Sequence, residues 1–163
     1  MKKCQVMITV CFMLLLSGCA QVKNYSMQPV GRQYSLNNFC IKNSEVVVND
    51  FRASAAVNDN VCAAVRQEVL ASLTGKHTNN SYVISIDVIE HKASFTFGNW
   101  NGETIFRVKV TAQSGSDIAF FEASGRASLS NLWGYGSAQE ASQGAYNLAI
   151  SDLMSKLSHV RTQ

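Results

Sequence analysis

Two stretches of the chain alternate apolar and polar side chains with a period of two residues, and this constrains its fold more than any other feature. The apolar positions are Tyr82, Ile84, Ile86 and Val88 in residues 82–90, and Phe106, Val108 and Val110 in residues 103–112. Such alternation is typical of antiparallel strands that are covered on one face and solvated on the other. A third strand-like segment follows at residues 118–127, and Asn101-Gly102 and Ser114-Gly115 fit the connections between strands.

A further strand and a helix precede these segments. Residues 45–51 form a β-branched run, which predicts a buried strand. A helix over residues 60–74 would be capped by Asn58 or Asp59 and would end at Gly75. Its apolar stripe consists of Val61, Cys62, Val65, Val69 and Leu73.

The C-terminal helix has a clear start. Ser137 and Glu140 have the spacing of a capping box. The apolar positions that follow recur every three or four residues: Tyr146, Ile150, Leu153, Leu157 and Val160. The resulting order β-α-β-β-β-α predicts an α+β fold, in which two helices cover one face of a mostly antiparallel four-stranded sheet.

The N-terminus carries a secretion signal. Two lysines follow the initiator methionine, residues 6–16 are almost entirely apolar, and Leu16-Ser17-Gly18-Cys19 closes the run. The run is too short for a permanent membrane helix, which needs roughly 20 apolar residues. The closing tetrad resembles the bacterial lipobox, in which the Cys thiol receives a diacylglycerol and becomes the first residue of the mature protein. The alternative is an ordinary signal peptide with a chance cysteine.

The lipobox resemblance implies a chain in three parts. Residues 1–18 would be the signal peptide, 19–38 a lipidated tether, and 39–163 a single α+β periplasmic domain. Two or more acyl chains, such as palmitate, hold a protein stably on a membrane. In Gram-negative lipoproteins an Asp directly after the Cys retains the protein at the inner membrane, and Ala20 stands there instead. We therefore expect a periplasm-facing anchor in the outer membrane.

Charge and motif content argue against several functions. Removing the two lysines of the signal from the 14 basic residues leaves 12, against 11 acidic ones, without a run of like charge. Nucleic acid is therefore not an expected partner. No GxSxG or CxxC motif occurs, and His77, His91 and His159 are expected to be solvated surface residues. We expect no catalytic residues, no metal and no cofactor.

Two cysteines remain beyond Cys19 in the mature chain. Cys40 and Cys62 could pair in an oxidising periplasm. Their disulfide would close a loop of about 22 residues and contribute roughly 3 kcal/mol. The alternative is two buried free thiols.

Two aromatic loops are the candidate binding sites. Phe95, Phe97 and Trp100 surround glycine and asparagine residues near an expected hairpin tip. Leu132, Trp133 and Tyr135 lie beside Gly134 and Gly136 before the last helix. Exposed Trp and Tyr are favoured at protein interfaces and at membrane surfaces, so these loops could form a rim that faces a partner or a bilayer. The alternative is that each loop folds over a sheet edge as a structural plug.

The whole pattern resembles a group of small envelope lipoproteins. The group includes YajG-type lipoproteins, LptE-like lipopolysaccharide-assembly lipoproteins and auxiliary lipoproteins of envelope ABC transporters. The resemblance rests on residues 46–51, 61–75, 82–89 and 138–157. It implies a non-catalytic accessory or assembly subunit that binds an envelope protein complex. A module that binds lipid, glycan or peptidoglycan is the alternative, and it predicts a concave apolar pocket near the aromatic loops.

Overall fold

The computed structural model describes residues 26–53, 59–75, 81–131, 134 and 136–162. Its elements in chain order are β1 (Ser44–Asp50), α1 (Val61–Ser72), β2 (Tyr82–Thr96), β3 (Asn99–Ala112), β4 (Asp117–Ser130) and α2 (Ala138–Ser158). The predicted order and the α+β class are confirmed. Among the described residues, no helix combines the length and the apolar character needed to cross a membrane.

The sheet has the strand order β1-β2-β3-β4. β1 pairs with β2 in parallel, because α1 forms the crossover between them, whereas β2, β3 and β4 are an antiparallel meander. The pairing of Asp50 with Val88 ends β1, so β2 continues to Thr96 paired only with β3. One end of the molecule is therefore a three-stranded extension of the sheet.

Both helices pack on the face that carries the alternating apolar residues. Ile84, Ile86 and Val108 lie in one buried cluster with Val65 of α1 and Ile150 of α2. Helix α2 lies so close to β3 that a Cβ added to Gly102 would stand 2.0 Å from the carbonyl oxygen of Ala141. The prediction that Asn101-Gly102 forms a turn is wrong, since Gly102 lies within β3 and its missing side chain makes room for α2.

The helix starts follow the sequence in part. The capping box of α2 is confirmed: the Glu140 amide donates to Ser137 Oγ at 3.1 Å, and the Ser137 amide donates to Glu140 Oε2 at 3.0 Å. Helix α1 begins after Asn60 instead, whose side chain makes no cap hydrogen bond, although Asp59 Oδ1 accepts from the Val61 amide at 3.2 Å. Asn58, the other predicted cap, lies outside the described residues.

Residues 26–38, here called the strap, pack along both helices. The Leu36 amide donates to the Ser72 carbonyl at 2.7 Å, and Asn38 Nδ2 donates to the Leu157 carbonyl at 2.8 Å. Met27 and Leu36 are buried in the core. Sequence patterning assigned this stretch to the tether, because its few apolar residues have no helix or strand period. In the structure these described residues extend the packed domain toward the N-terminus.

The expected disulfide is absent, and Cys40 and Cys62 are free thiols. Helix α1 runs back along β1 in the opposite direction, so its first residues lie beside the end of β1. Cys62 is in the first turn of α1, whereas Cys40 precedes β1 and lies near the other end of the helix, where the Gly75 amide donates to the Phe39 carbonyl. The helix between them rises about 15 Å, and a disulfide requires Cα atoms within about 7 Å.

Candidate interaction site

The β2–β3 hairpin ends in a two-residue turn formed by Phe97 and Gly98. Thr96 and Asn99 pair across it, and φ is +49° at Phe97 and +78° at Gly98. Positive φ at both positions is the requirement of a type I′ turn, which normally takes Asn or Asp followed by Gly. Phenylalanine is disfavoured there, because its Cβ crowds the backbone in the left-handed region. Phe97 is nevertheless 98% exposed.

An aromatic pair lies directly behind this apex. Phe95 and Trp100 face each other across the two strands, with ring centroids 5.2 Å apart and planes tilted by 58°. Trp100 also pairs in register with Leu129 of β4. Phe95 is 51% exposed and Trp100 is partly buried. Phe95, Phe97 and Trp100 together are here called the hairpin tip, and the structure brings these three predicted residues together.

A bulge in β2 sets the direction in which the tip faces. The register shifts between Val88 and Glu90, so the positions that face the helices change from even to odd residue numbers. Phe95 therefore lies on the same face as the buried His91, and on the same face as Gly102 beneath α2. The aromatic pair thus continues the helix-covered face of the sheet beyond the N-terminus of α2.

The connection from β4 to α2 begins beside the tip. The Asn131 amide donates to the Gly98 carbonyl at 2.8 Å, and the Gly136 amide donates to Asn131 Oδ1 at 3.1 Å. The other predicted members of the rim, Leu132, Trp133 and Tyr135, lie outside the described residues, as does Cys19. The described ends of the two predicted loops therefore meet at one end of the sheet.

The hairpin tip carries no charge of its own. Residues 93–102 contain no acidic, basic or histidine side chain. The nearest charges form a network on the outer face: Glu103 pairs with Arg126 at 2.7 Å and with Lys92 at 3.3 Å. The hydrogen bond from Arg126, and secondarily that from Lys92, lowers the pKa of Glu103. These charges satisfy each other at the base of an uncharged, aromatic apex.

A buried polar cluster lies where β1 ends and α1 begins. Arg52 donates to Asp59 at 2.6 Å and also bonds Asp50, and the side chains of Arg52 and Asp59 are almost fully buried. The hydrogen bond with Asp50, and secondarily that with Asp59, raises the pKa of Arg52. Patterning missed this cluster, whose trace in the sequence is one charged residue at the end of a strand and two before the following helix.

His91 belongs to the same region and was expected at the surface. It is buried, and its Nδ1 lies 2.9 Å from Thr104 Oγ1. Burial lowers the pKa of His91 to about 4, so the ring is neutral at neutral pH. The prediction of a solvated His91 is wrong because the bulge turns this position inward, whereas His159 is exposed as expected. His77 lies outside the described residues.

The surface beside the hairpin tip contains a hollow, which we compare with the pocket that the ligand-binding alternative predicts. A hollow of about 250 Å³ beside the tip is lined by mostly polar side chains, including Lys92, Asn101, Glu103 and Arg126. The ligand-binding alternative predicts a concave apolar pocket, whereas charged side chains line part of this hollow. Within the described parts of the chain, no group of three or more His, Cys, Asp or Glu side chains is placed to hold a metal.

Several solved bacterial structures share parts of this backbone arrangement. A candidate lipoprotein of Caulobacter crescentus matches 72% of this chain and 89% of its own, with a TM-score of 0.48 and 11% identity. Lipoprotein GNA1162 of Neisseria meningitidis matches 71% and 96%, with a TM-score of 0.41 and 13% identity. A minor lipoprotein of Acinetobacter baumannii matches 73% and 92%, with a TM-score of 0.42 and 9% identity. No protein-family model matches the chain, and no curated protein is similar to it in sequence.

Proposed function

We propose that the chain is a non-catalytic accessory lipoprotein of a bacterial envelope complex, anchored through Cys19 in the outer membrane and facing the periplasm. The lipobox-like sequence Leu16-Ser17-Gly18-Cys19 supports the anchor, and Ala20 supports the outer membrane. Acyl chains would hold the domain at the membrane surface. The domain would then act by contact with other components of the envelope.

The hairpin tip is the observation that supports a role by contact, whether with the membrane or with a protein. A folded domain gains nothing from a fully exposed phenylalanine in a left-handed backbone conformation, which is costly for a bulky side chain without a local hydrogen bond. Strain that the fold does not require is a reason to look for function at that position. The tip therefore is proposed as a contact site. The outer face of the sheet, where Phe120 is 69% exposed opposite Lys109, is the face proposed for protein subunits.

The membrane anchor has a direct test. Changing Cys19→Ala removes the acceptor thiol, so the protein should move from the membrane fraction to the soluble fraction of cells. Metabolic labelling with a palmitate analogue should mark the natural protein and not the variant. Unchanged membrane association and labelling of the variant would overturn the anchor.

The accessory role needs a test of its own. Affinity purification in mild detergent should recover the protein with a discrete envelope protein, and tagging that protein should recover this chain in return. Recovery of the chain without any partner protein would favour the module that binds lipid, glycan or peptidoglycan.

A further inference from the structure

The strap enters the fold at the end of the domain that carries the hairpin tip. The Met27 amide donates to Oδ1 of Asn60, directly before α1, at 2.6 Å. The Gln28 amide donates to Oε1 of Gln143, in the second turn of α2, at 2.8 Å. Later strap residues bond the last turns of both helices, as Leu36 and Asn38 show. The chain therefore leaves the domain at the N-terminal ends of the helices.

The hairpin projects from this same end. Gly102 lies beneath Ala141 in the first turn of α2, and β3 runs from there back to the turn at Gly98. Four residues of strand span about 14 Å. In the other direction β3 runs from Gly102 to Ala112, about 34 Å away from the tip end.

The length of chain between Cys19 and the strap then decides which end of the domain faces the membrane. Ser26 lies seven positions after Cys19 along the chain, and the chain between them spans at most about 25 Å. That reach exceeds the 14 Å projection of the hairpin, so the tip can meet the surface that holds the lipid. It is shorter than the distance to the far end of β3, so the tip end is the end held near the membrane.

We propose that the hairpin tip is a second membrane contact, in which Phe97, backed by Phe95 and Trp100, enters the interface of the bilayer that holds the Cys19 lipid. This inference rests on the proposed anchor and not on the accessory role. The uncharged stretch of residues 93–102 suits a lipid surface, because its insertion buries no charged group. Tryptophan favours the headgroup level of bilayers, and an exposed Phe apex supplies the apolar part.

The test uses the lipidated full chain in vesicles of phosphatidylethanolamine and phosphatidylglycerol. The chain has two tryptophans, so Trp133→Phe leaves Trp100 as the only reporter. Brominated acyl chains should quench Trp100 emission by about twofold if the indole lies at the interface. Adding Phe97→Asn should remove most of this quenching. Adding Phe120→Asn, at an exposed phenylalanine on the outer face of β4, should leave it unchanged.

Flotation of the same vesicles separates failure of the anchor from failure of the inference. Protein that does not float with the vesicles lacks the anchor. Protein that floats without quenching of Trp100 has the anchor and overturns the membrane contact.

A photoreactive phenylalanine at position 97 in intact cells gives the independent check. Lipid adducts at position 97, in excess of those at position 120, support the inference. A protein adduct specific to position 97 overturns it and assigns the tip to a protein partner.

Discussion

Changing Phe97→Asn should stabilise the domain, although Phe97 has a larger apolar side chain. The left-handed conformation, with φ of +49°, costs an L-residue about 1–2 kcal/mol. Asparagine tolerates this region, and Asn-Gly is the preferred pair for a type I′ turn. Because Phe97 is 98% exposed, its removal forfeits little packing. The free energy of unfolding should rise by about 1 kcal/mol, and the Tm by about 4 °C.

Urea unfolding followed by far-ultraviolet circular dichroism measures this difference, with both proteins in the same detergent. Phe97→Ala is the control, because alanine also removes the ring but lacks the side-chain amide that makes asparagine tolerant of the left-handed region. The Phe97→Ala variant should not have a higher free energy of unfolding than the natural protein. A destabilised Phe97→Asn variant would refute the reasoning, and so would an equal gain from Phe97→Ala, which would assign the effect to loss of the ring instead of relief of the backbone.

Three further outcomes are expected. Arg52→Ala should lower the free energy of unfolding by about 3 kcal/mol, since it leaves the buried Asp59 carboxylate without its cation. The double variant Arg52→Leu, Asp59→Leu should be more stable than Arg52→Ala when both are measured by urea unfolding. The pKa of His91 is about 4 in the folded state and about 6.5 in the unfolded state, so between these pH values the unfolded chain binds one proton more. The free energy of unfolding should therefore fall by roughly 3 kcal/mol from pH 6.5 to 4. In the His91→Gln variant it should change less over this pH range. Cys40 and Cys62 should both react with a thiol reagent in the denatured, unreduced protein, and a count of zero would contradict the free thiols.

Periodicity predicted the elements because burial on one face imposes it directly. The alternating segment from Tyr82 to Val88 forms the first half of β2, with its apolar residues buried, and the capping box at Ser137 begins α2. Local turn chemistry was less informative. Asn101-Gly102 has the preferred hairpin sequence and Phe97-Gly98 does not, yet the turn forms at Phe97 because close packing of α2 requires the glycine at position 102 inside the strand. Tertiary contact thus overrides a local preference.

Features that depend on direction and register could not be obtained from periodicity. One bulge in β2 reverses which residues face inward, which buries His91 and aligns Phe95 with Trp100. The direction of α1 relative to β1 separates Cys40 from Cys62, although both lie near apolar elements in the sequence. The residue types of the candidate site were evident from the sequence, whereas its apex conformation was not.

The strap also sets the order in which the domain can be completed. Its bonds from Gln28 to Gln143 and from Asn38 to Leu157 join residues 115 and 119 positions apart. Contacts of such long sequence separation carry the largest loop-closure entropy and form late. If the chain is exported as proposed, its N-terminus would enter the periplasm before α2 arrives there to receive the strap. The lipobox-like sequence would then stay accessible to processing enzymes until the last helix has crossed, and loss of α2 would leave the strap undocked.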